Sequence, residues 1–317
     1  YKDSTDKIAD CRIAILDEKF GEKYDEAITF MEEGKYEEAI TAFEAMDGYK
    51  DSTDKIAECR MAIMAILDEK YSGKYDEAVA LMERGQYEEA ITAFDALDGY
   101  KDSEEKADFC HAKFEVEKMK TAVAGDYVVF GAYEQDNDMS NGKENIEWLV
   151  LDRQDDQILV ISKYALDCQK YNVSDVDVTW KTCTLRDWLN DDFINSAFSA
   201  AERAIIPAVT VPAEKTLGGT VLGDDTWDRV FLLSSVEARR YFPSDFSRKC
   251  VPTSYAIAQG VERPRSSSGC WWWLRLSGRS QNLVPYVLTD GEILGGGGKV
   301  NCGFFAVRPT MWINLDT

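Results

Sequence analysis

Histidine is nearly missing from this chain: its 317 residues contain one, His111. That residue falls in the helical N-terminal third, so the rest of the chain has none. Ser-His-Asp and Cys-His nucleophile arrangements are excluded there, as are histidine-ligated zinc or iron sites. Long apolar runs are also missing, and no stretch approaches the roughly 18 uninterrupted apolar residues of a membrane span. No initiator Met or signal peptide opens the sequence, and Tyr1 stands inside a repeat. The chain is therefore expected to be trimmed at its N-terminus, with any address or anchor in the missing part. No phosphate-cradling GxxxxGK[ST] occurs, and the glycines at 295–298 lack the strand-to-helix context of a nucleotide loop.

Positive charge is scarce. Lys and Arg number 36 against 58 Asp and Glu, for a net charge of −22, which argues against a nucleic-acid partner. The imbalance is local: residues 1–120 hold 32 acidic and 17 basic side chains, whereas residues 229–309 hold 11 basic and 5 acidic ones. Structural ion pairing is the expected use of these C-terminal arginines.

Eight cysteines are present. Cys11, Cys59 and Cys110 occupy one position in three successive repeats, where a small apolar side chain suffices, and free thiols are expected there. Cys168, Cys183, Cys250, Cys270 and Cys302 show no CxxC or metal-ligand spacing, so neither a zinc site nor a redox pair is expected.

With 45% hydrophobic and 30% charged residues, the chain has material for two or three folded units. A repeat dominates the first third: the segment 1–11 returns at 49–59 and, degraded, at 100–110. The extra three residues of the second interval fall near Met61 to Met64, about one helical turn. Within each unit Tyr36, Ile40 and Phe43, and then Tyr87, Ile91 and Phe94, stand at helical spacing after Gly34 and Gly85. These are read as short antiparallel helices, and the Lys-Asp-Ser triplets at 50–52 and 101–103 are expected to supply N-caps. The segment resembles tetratricopeptide-type helical repeats of the tyrosine-rich variety that precedes ligand-binding domains in bacterial surface proteins. Spacing is the role expected of it, with a protein partner on the helical face as the alternative.

After Lys120 the helical period gives way to short β runs at 127–130, 148–151 and 158–161, with Gly125 and Asp126 at the boundary. Residues 184–198 read as an amphipathic helix and 201–205 as a shorter one ended by Pro207. A strand is expected at 230–233, and a second amphipathic helix at 236–241 starts from Ser234 or Ser235. The expectation is thus an α+β protein, with helical repeats at 1–120 and a mixed domain at 121–317.

Two carboxylate pairs, Asp191 with Asp192 and Asp224 with Asp225, have the ligand type for calcium but not EF-hand spacing, so solvated helix surface and loop polarity are the preferred readings. No metal or cofactor is expected. The triplet Trp271-Trp272-Trp273 has faces that could stack sugars or bases, and core packing is expected instead. Arg275 and Arg308 are expected to be buried forks onto carboxylates or carbonyls.

Several separated motifs, namely Trp148-Leu149-Val150-Leu151-Asp152, Leu185-Arg186-Asp187-Trp188-Leu189-Asn190, Phe231-Leu232-Leu233-Ser234, Trp272-Trp273-Leu274-Arg275 and Val307-Arg308-Pro309 with Trp312-Ile313, resemble together a bacterial domain family of C-type lectin fold. That family is related to the formylglycine-generating enzymes. The segment of about 272–309 is similar to the variable region of proteins diversified by retroelements, whose kept pattern appears here as Trp272 to Arg275, Gly278, Gln281, Asn282, Tyr286, Val287 and Gly291.

The resemblance implies that the positions between the kept ones form a ligand-binding surface. In the first half these are Leu276, Arg279, Ser280, Leu283, Val284, Leu288, Asp290 and Glu292. In the second half they are Leu294, Gly295, Gly296, Lys299, Asn301, Cys302, Gly303 and Phe304. Leu276, Leu283, Leu288, Leu294, Phe304 and Phe305 would form an exposed apolar patch, and Gly295 to Gly298 would contact a ligand weakly. Formylglycine-generating enzymes use a close cysteine pair, whereas here Cys270 and Cys302 are 32 residues apart with no neighbouring cysteine. Oxidase activity is therefore not expected. The resemblance implies a non-catalytic receptor for a protein or glycan, displayed on a bacterial surface.

Overall fold

A computed structural model describes residues 2–213, 223–263 and 267–316, without the side chains of residues 2–11 and 13. Cys11 and residues 218–222 of the loop around Asp224 thus lie outside the described set. The chain divides into two compact units, Tyr1–Glu104 and Glu105–Thr317. No described helix is long and apolar enough to cross a membrane.

The first unit is helical, with α1 (Lys2–Glu32), α2 (Tyr36–Glu44), α3 (Ser52–Glu83) and α4 (Tyr87–Asp95), each packed on the next. The short helices α2 and α4 bury Ala39 and Phe43, and Ala90, Ile91 and Phe94. Their partners are long rather than short, at 31 and 32 residues. The three-residue insertion lies inside α3, which stays helical through it and turns Met61 and Met64 to solvent.

The turns that link a short helix to the next long one explain the conserved spelling of the repeat. Asp47, Gly48 and Lys50 take left-handed backbone angles, and so do Asp98, Gly99 and Lys101. This geometry aims Tyr49 back at α1, where its hydroxyl donates to Asp17, while Tyr24 of α1 donates forward to Asp51. The same two bonds recur 51 residues later, from Tyr100 to Asp68 and from Tyr75 to Asp102. The Lys50 ammonium lies 4.7 Å and 5.0 Å from the Tyr24 and Tyr49 ring centres, and Lys101 repeats the arrangement at 4.9 Å and 4.8 Å. The expected capping role of Asp51 is not used: it stands at the N-cap of α3 but makes no side-chain cap bond, because its carboxylate takes the Tyr24 hydroxyl.

The second unit opens with most of α5 (Ser103–Met119), whose Ala112, Val116 and Met119 join the same buried cluster as the strands that follow. The two compact units divide at 104/105, inside α5, while the change from helical to β period that the sequence expectation used lies at 120/121. Loss of the helical period marks where helices stop, not where the last helix buries its apolar face. His111, exposed on α5, consequently belongs to the second unit.

Two five-stranded sheets follow. The first has the order β1 (Tyr127–Tyr133), β2 (Glu144–Gln154), β3 (Gln157–Ser162), β12 (Thr310–Asn314), β7 (Val230–Phe231), antiparallel throughout. The second has the order β10 (Ile293–Lys299), β9 (Leu283–Val287), β8 (Trp272–Trp273), β11 (Ala306–Val307), β4 (Asp167–Cys168), with β8 and β11 parallel. A two-stranded ribbon pairs β5 (Val209–Val211) with β6 (Thr226–Asp228). The helix expected over 184–198 runs as α6 (Thr184–Trp188) and α7 (Ile194–Ala197), joined by one wider π turn at Leu189–Phe193. After α8 (Ala200–Ile205), α9 (Ser235–Tyr241) starts from a capping box in which Ser234 and Glu237 exchange bonds, and α10 (Asp245–Arg248) and α11 (Ser254–Ala258) complete the unit. The whole is a mixed α+β protein, helical in its N-terminal part and sheet-rich in its C-terminal part.

Candidate functional site

The second sheet is built on tryptophan and arginine side chains that are themselves in the core. Trp272 and Trp273 are fully buried, their indole N–H groups donating to the Arg248 carbonyl at 3.1 Å and the Gln169 carbonyl at 2.9 Å. Arg275, also fully buried, donates to the Leu232 carbonyl at 2.9 Å and pairs with Glu237 at 3.1 Å. Arg308 donates to the Ser162 carbonyl at 2.8 Å and lies between the Phe242 and Trp272 rings, 5.1 Å and 5.3 Å from their centres. These contacts fix both ends of the 272–309 segment to the first sheet and its flanking loops.

Between those anchors the chain turns outward. Arg279, Asp290, Glu292, Leu294, Gly295, Lys299 and Gly303 are exposed. Leu276, Ser280, Leu283, Leu288, Gly296, Asn301, Cys302 and Phe304 are half-buried. Val284 differs: it is 0% exposed, so no ligand touches it. Strand β9 leaves Leu283 and Tyr286 half-buried and sends Val284, Pro285 and Val287 inward.

Phe305 is buried as well, its ring centre 3.9 Å from that of Trp273 and 4.5 Å from that of Tyr286. The apolar patch is thus smaller than expected, with Leu294 alone among its six members clearly exposed. The glycine run is also less idle than expected. Gly297 has φ +86 in the bulge of β10, and a Cβ on Gly298 would lie 2.9 Å from the Phe305 ring. Gly295 alone of the four meets open space.

Lys299 is held by an ion pair with Asp175 at 2.8 Å, and Asn282 donates to the same carboxylate at 3.1 Å. Lys299, then Asn282, holds the Asp175 carboxyl below its ordinary value. Asp175 therefore brings the 172–178 loop to this surface, a contribution that sequence reasoning missed for want of any local pattern. A cleft of about 540 Å³ opens beside Gly303, lined among others by Lys170, Val173, Asp187, Trp188, Asp191 and Asp192. Sequence reading treated Asp191 and Asp192 as solvated helix surface. Asp224, of the second pair, is tied to Lys181 at 2.7 Å, and Asp225 accepts the Ala213 N–H at 2.8 Å.

A third acidic group joins Glu134, Asp136 and Glu144, with ligand oxygens within 4.8 Å of one another. Its carboxylates already accept the backbone N–H groups of Gln135, Asn137 and Asp138, which accounts for the cluster without a cation.

The expectation of no neighbouring cysteine for Cys270 is overturned. Cys250 adjoins it, with the Cys270 N–H donating to the Cys250 carbonyl at 2.9 Å and the Cys270 thiol donating to the same oxygen at 3.5 Å. Both residues are in the core. The pairing joins residues 20 positions apart, outside any short motif.

The geometry defines a sheet domain with a buried aromatic and arginine frame and an irregular, partly exposed connection between its ends. Residues 155–315 match the family described as Domain of unknown function (DUF6273), and the chain belongs to that family. No curated protein and no solved structure matches the chain.

Proposed function

We propose that the chain is a non-catalytic receptor: a spacer of tetratricopeptide-like repeats carrying a C-type lectin-fold domain that binds a protein or glycan through residues 276–304. The division of side chains in this segment carries the reading. Trp272, Trp273, Arg275 and Arg308 are spent on the core, while fifteen of the sixteen candidate positions retain access to solvent. A rigid frame with replaceable surface side chains separates folding from recognition, as binding loops do on other scaffolds. The cleft beside Gly303 extends the surface and favours a ligand carrying positive charge, since three aspartates face one lysine there. The Cys250 and Cys270 sulfurs are sealed in the core and present nothing to a substrate, which lends an oxidase no support. Diversification of the surface by a retroelement, and display on a bacterial cell, complete the proposal.

Sequencing the 3′ end of the gene across its source population tests it. Substitutions arising from adenines, confined to the exposed and half-buried positions from Leu276 to Phe304, are the expected result. Invariance at those positions would overturn diversification and make the surface a site for one fixed ligand.

A further inference from the structure

The cysteine pair has a geometry beyond what packing requires. Cys250 follows α10 and Cys270 leads into β8, and the bond from the Cys270 N–H to the Cys250 carbonyl, 2.9 Å long, holds the two backbones together. That is the spacing of paired strands, roughly 5 Å, inside the Cα range a disulfide spans. The side chain makes the same approach: the Cys270 thiol donates to the Cys250 carbonyl oxygen at 3.5 Å. Beside them stands Arg308, whose Nη1 is buried without a hydrogen-bond acceptor.

Burial alone would push the Cys250 thiol up. The neighbouring Cys270 thiol, the Arg308 guanidinium and the Ala165 N–H outweigh burial and bring the thiol below its ordinary value. Cys270, as the donor beside that sulfur, is pushed well above its own. The two thiols are thus unequal once the domain has folded around them. Cys59, Cys110, Cys168 and Cys183 are buried without this pairing and have raised thiols.

We propose that Cys250 and Cys270 are a disulfide-forming pair that closes when the domain folds in the presence of a small-molecule or protein disulfide, and so bolts the first anchoring strand of the display segment to the loop after α10. Before the core closes over the pair, the Cys250 thiolate attacks one sulfur of the external disulfide, forming a mixed disulfide and releasing one thiolate. Cys270 then loses its proton, its thiolate attacks the Cys250 sulfur, and the second external thiolate leaves. Two protein thiols are oxidised, one external disulfide is reduced to two thiols, and no other oxidant is needed. The bond encloses residues 251–269, which include α11.

The test is to produce the full chain once in an oxidising compartment and once in a reducing one, alkylate free thiols in denaturant, and map tryptic peptides. Peptides 250–265 and 266–275 joined to each other in the oxidised product, with Cys59, Cys110, Cys168, Cys183 and Cys302 alkylated, are expected. The oxidised product should also melt roughly 6–12 °C above the same sample after reduction, as for a loop of this size in a domain of this size. Alkylation of both cysteines in the oxidised product would overturn the proposal, as would pairing of either with a different cysteine. The double variant C250A/C270A should lose the redox-dependent difference in melting. Its persistence there would equally overturn the assignment.

Discussion

Replacing Phe305 with alanine separates two accounts of the 272–309 segment. If the side chain faced solvent, its removal would change stability by no more than about 0.5 kcal/mol. The structure places it 2% exposed, against Trp273 at 3.9 Å, Tyr286 at 4.5 Å and Phe304 at 4.7 Å between ring centres, and over the bare backbone of Gly298. Truncating a buried phenylalanine leaves a cavity that such a cage of rings cannot collapse to fill, at a cost of about 3–5 kcal/mol. For a unit of this size the melting point should fall by roughly 6–20 °C. All eight tryptophans lie at or beyond residue 148, so indole fluorescence during denaturant unfolding reports the second unit alone and removes the repeats from the signal. Leu294→Ala, at a position 38% exposed, is the control and should cost no more than about 1 kcal/mol. Equal and small effects of the two substitutions would refute the buried frame and return Phe305 to the surface.

Two further outcomes follow from local geometry. Gly291→Ala should destabilise the second unit by about 3 kcal/mol or more, because φ there is +94 and the new Cβ would lie 1.6 Å from the Asp245 carbonyl oxygen, a clash on top of backbone strain. Retention of the parent unfolding midpoint would contradict the close approach. In the repeats, Tyr24 and Tyr75 are raised to about 12 by their hydrogen bonds to Asp51 and Asp102 and secondarily by burial. A phenol whose folded value is raised contributes stability that is full below about pH 10, the unfolded value, and is lost as pH climbs through about 12. The difference in tyrosinate absorbance between the parent and Y24F/Y75F should therefore appear near pH 12, and a difference centred near pH 10 would refute the paired hydroxyls.

Where one strong local signal governed an element, the sequence was readable. The runs at 127–130, 148–151 and 158–161 lie within β1, β2 and β3, and Ser234 caps α9 through a capping box with Glu237 three residues on. Buried Arg275 and Arg308 were legible because guanidinium groups between aromatic residues seldom find water. Positions inside the 272–309 segment were harder, since β9 and β10 contain a bulge that shifts register between Leu294 and Gly298 and no single period covers them. Val284 was accordingly placed outward and Phe305 with it. The Cys250 and Cys270 pairing could not be read at all, because it depends on how α10 and β8 are brought together by residues elsewhere in the chain.

The tyrosine and aspartate bonds of the repeats have a consequence for how this protein can change. Each block carries one half of two latches and finds the other half in its neighbour, 27 and 32 residues away, with the same partners offset by one block. Duplication or loss of a whole block restores every latch, whereas a partial gain leaves hydroxyls and carboxylates unmatched. Length is thus inherited in whole increments, as links in a chain, and a lineage can lengthen or shorten the helical unit block by block with every latch kept.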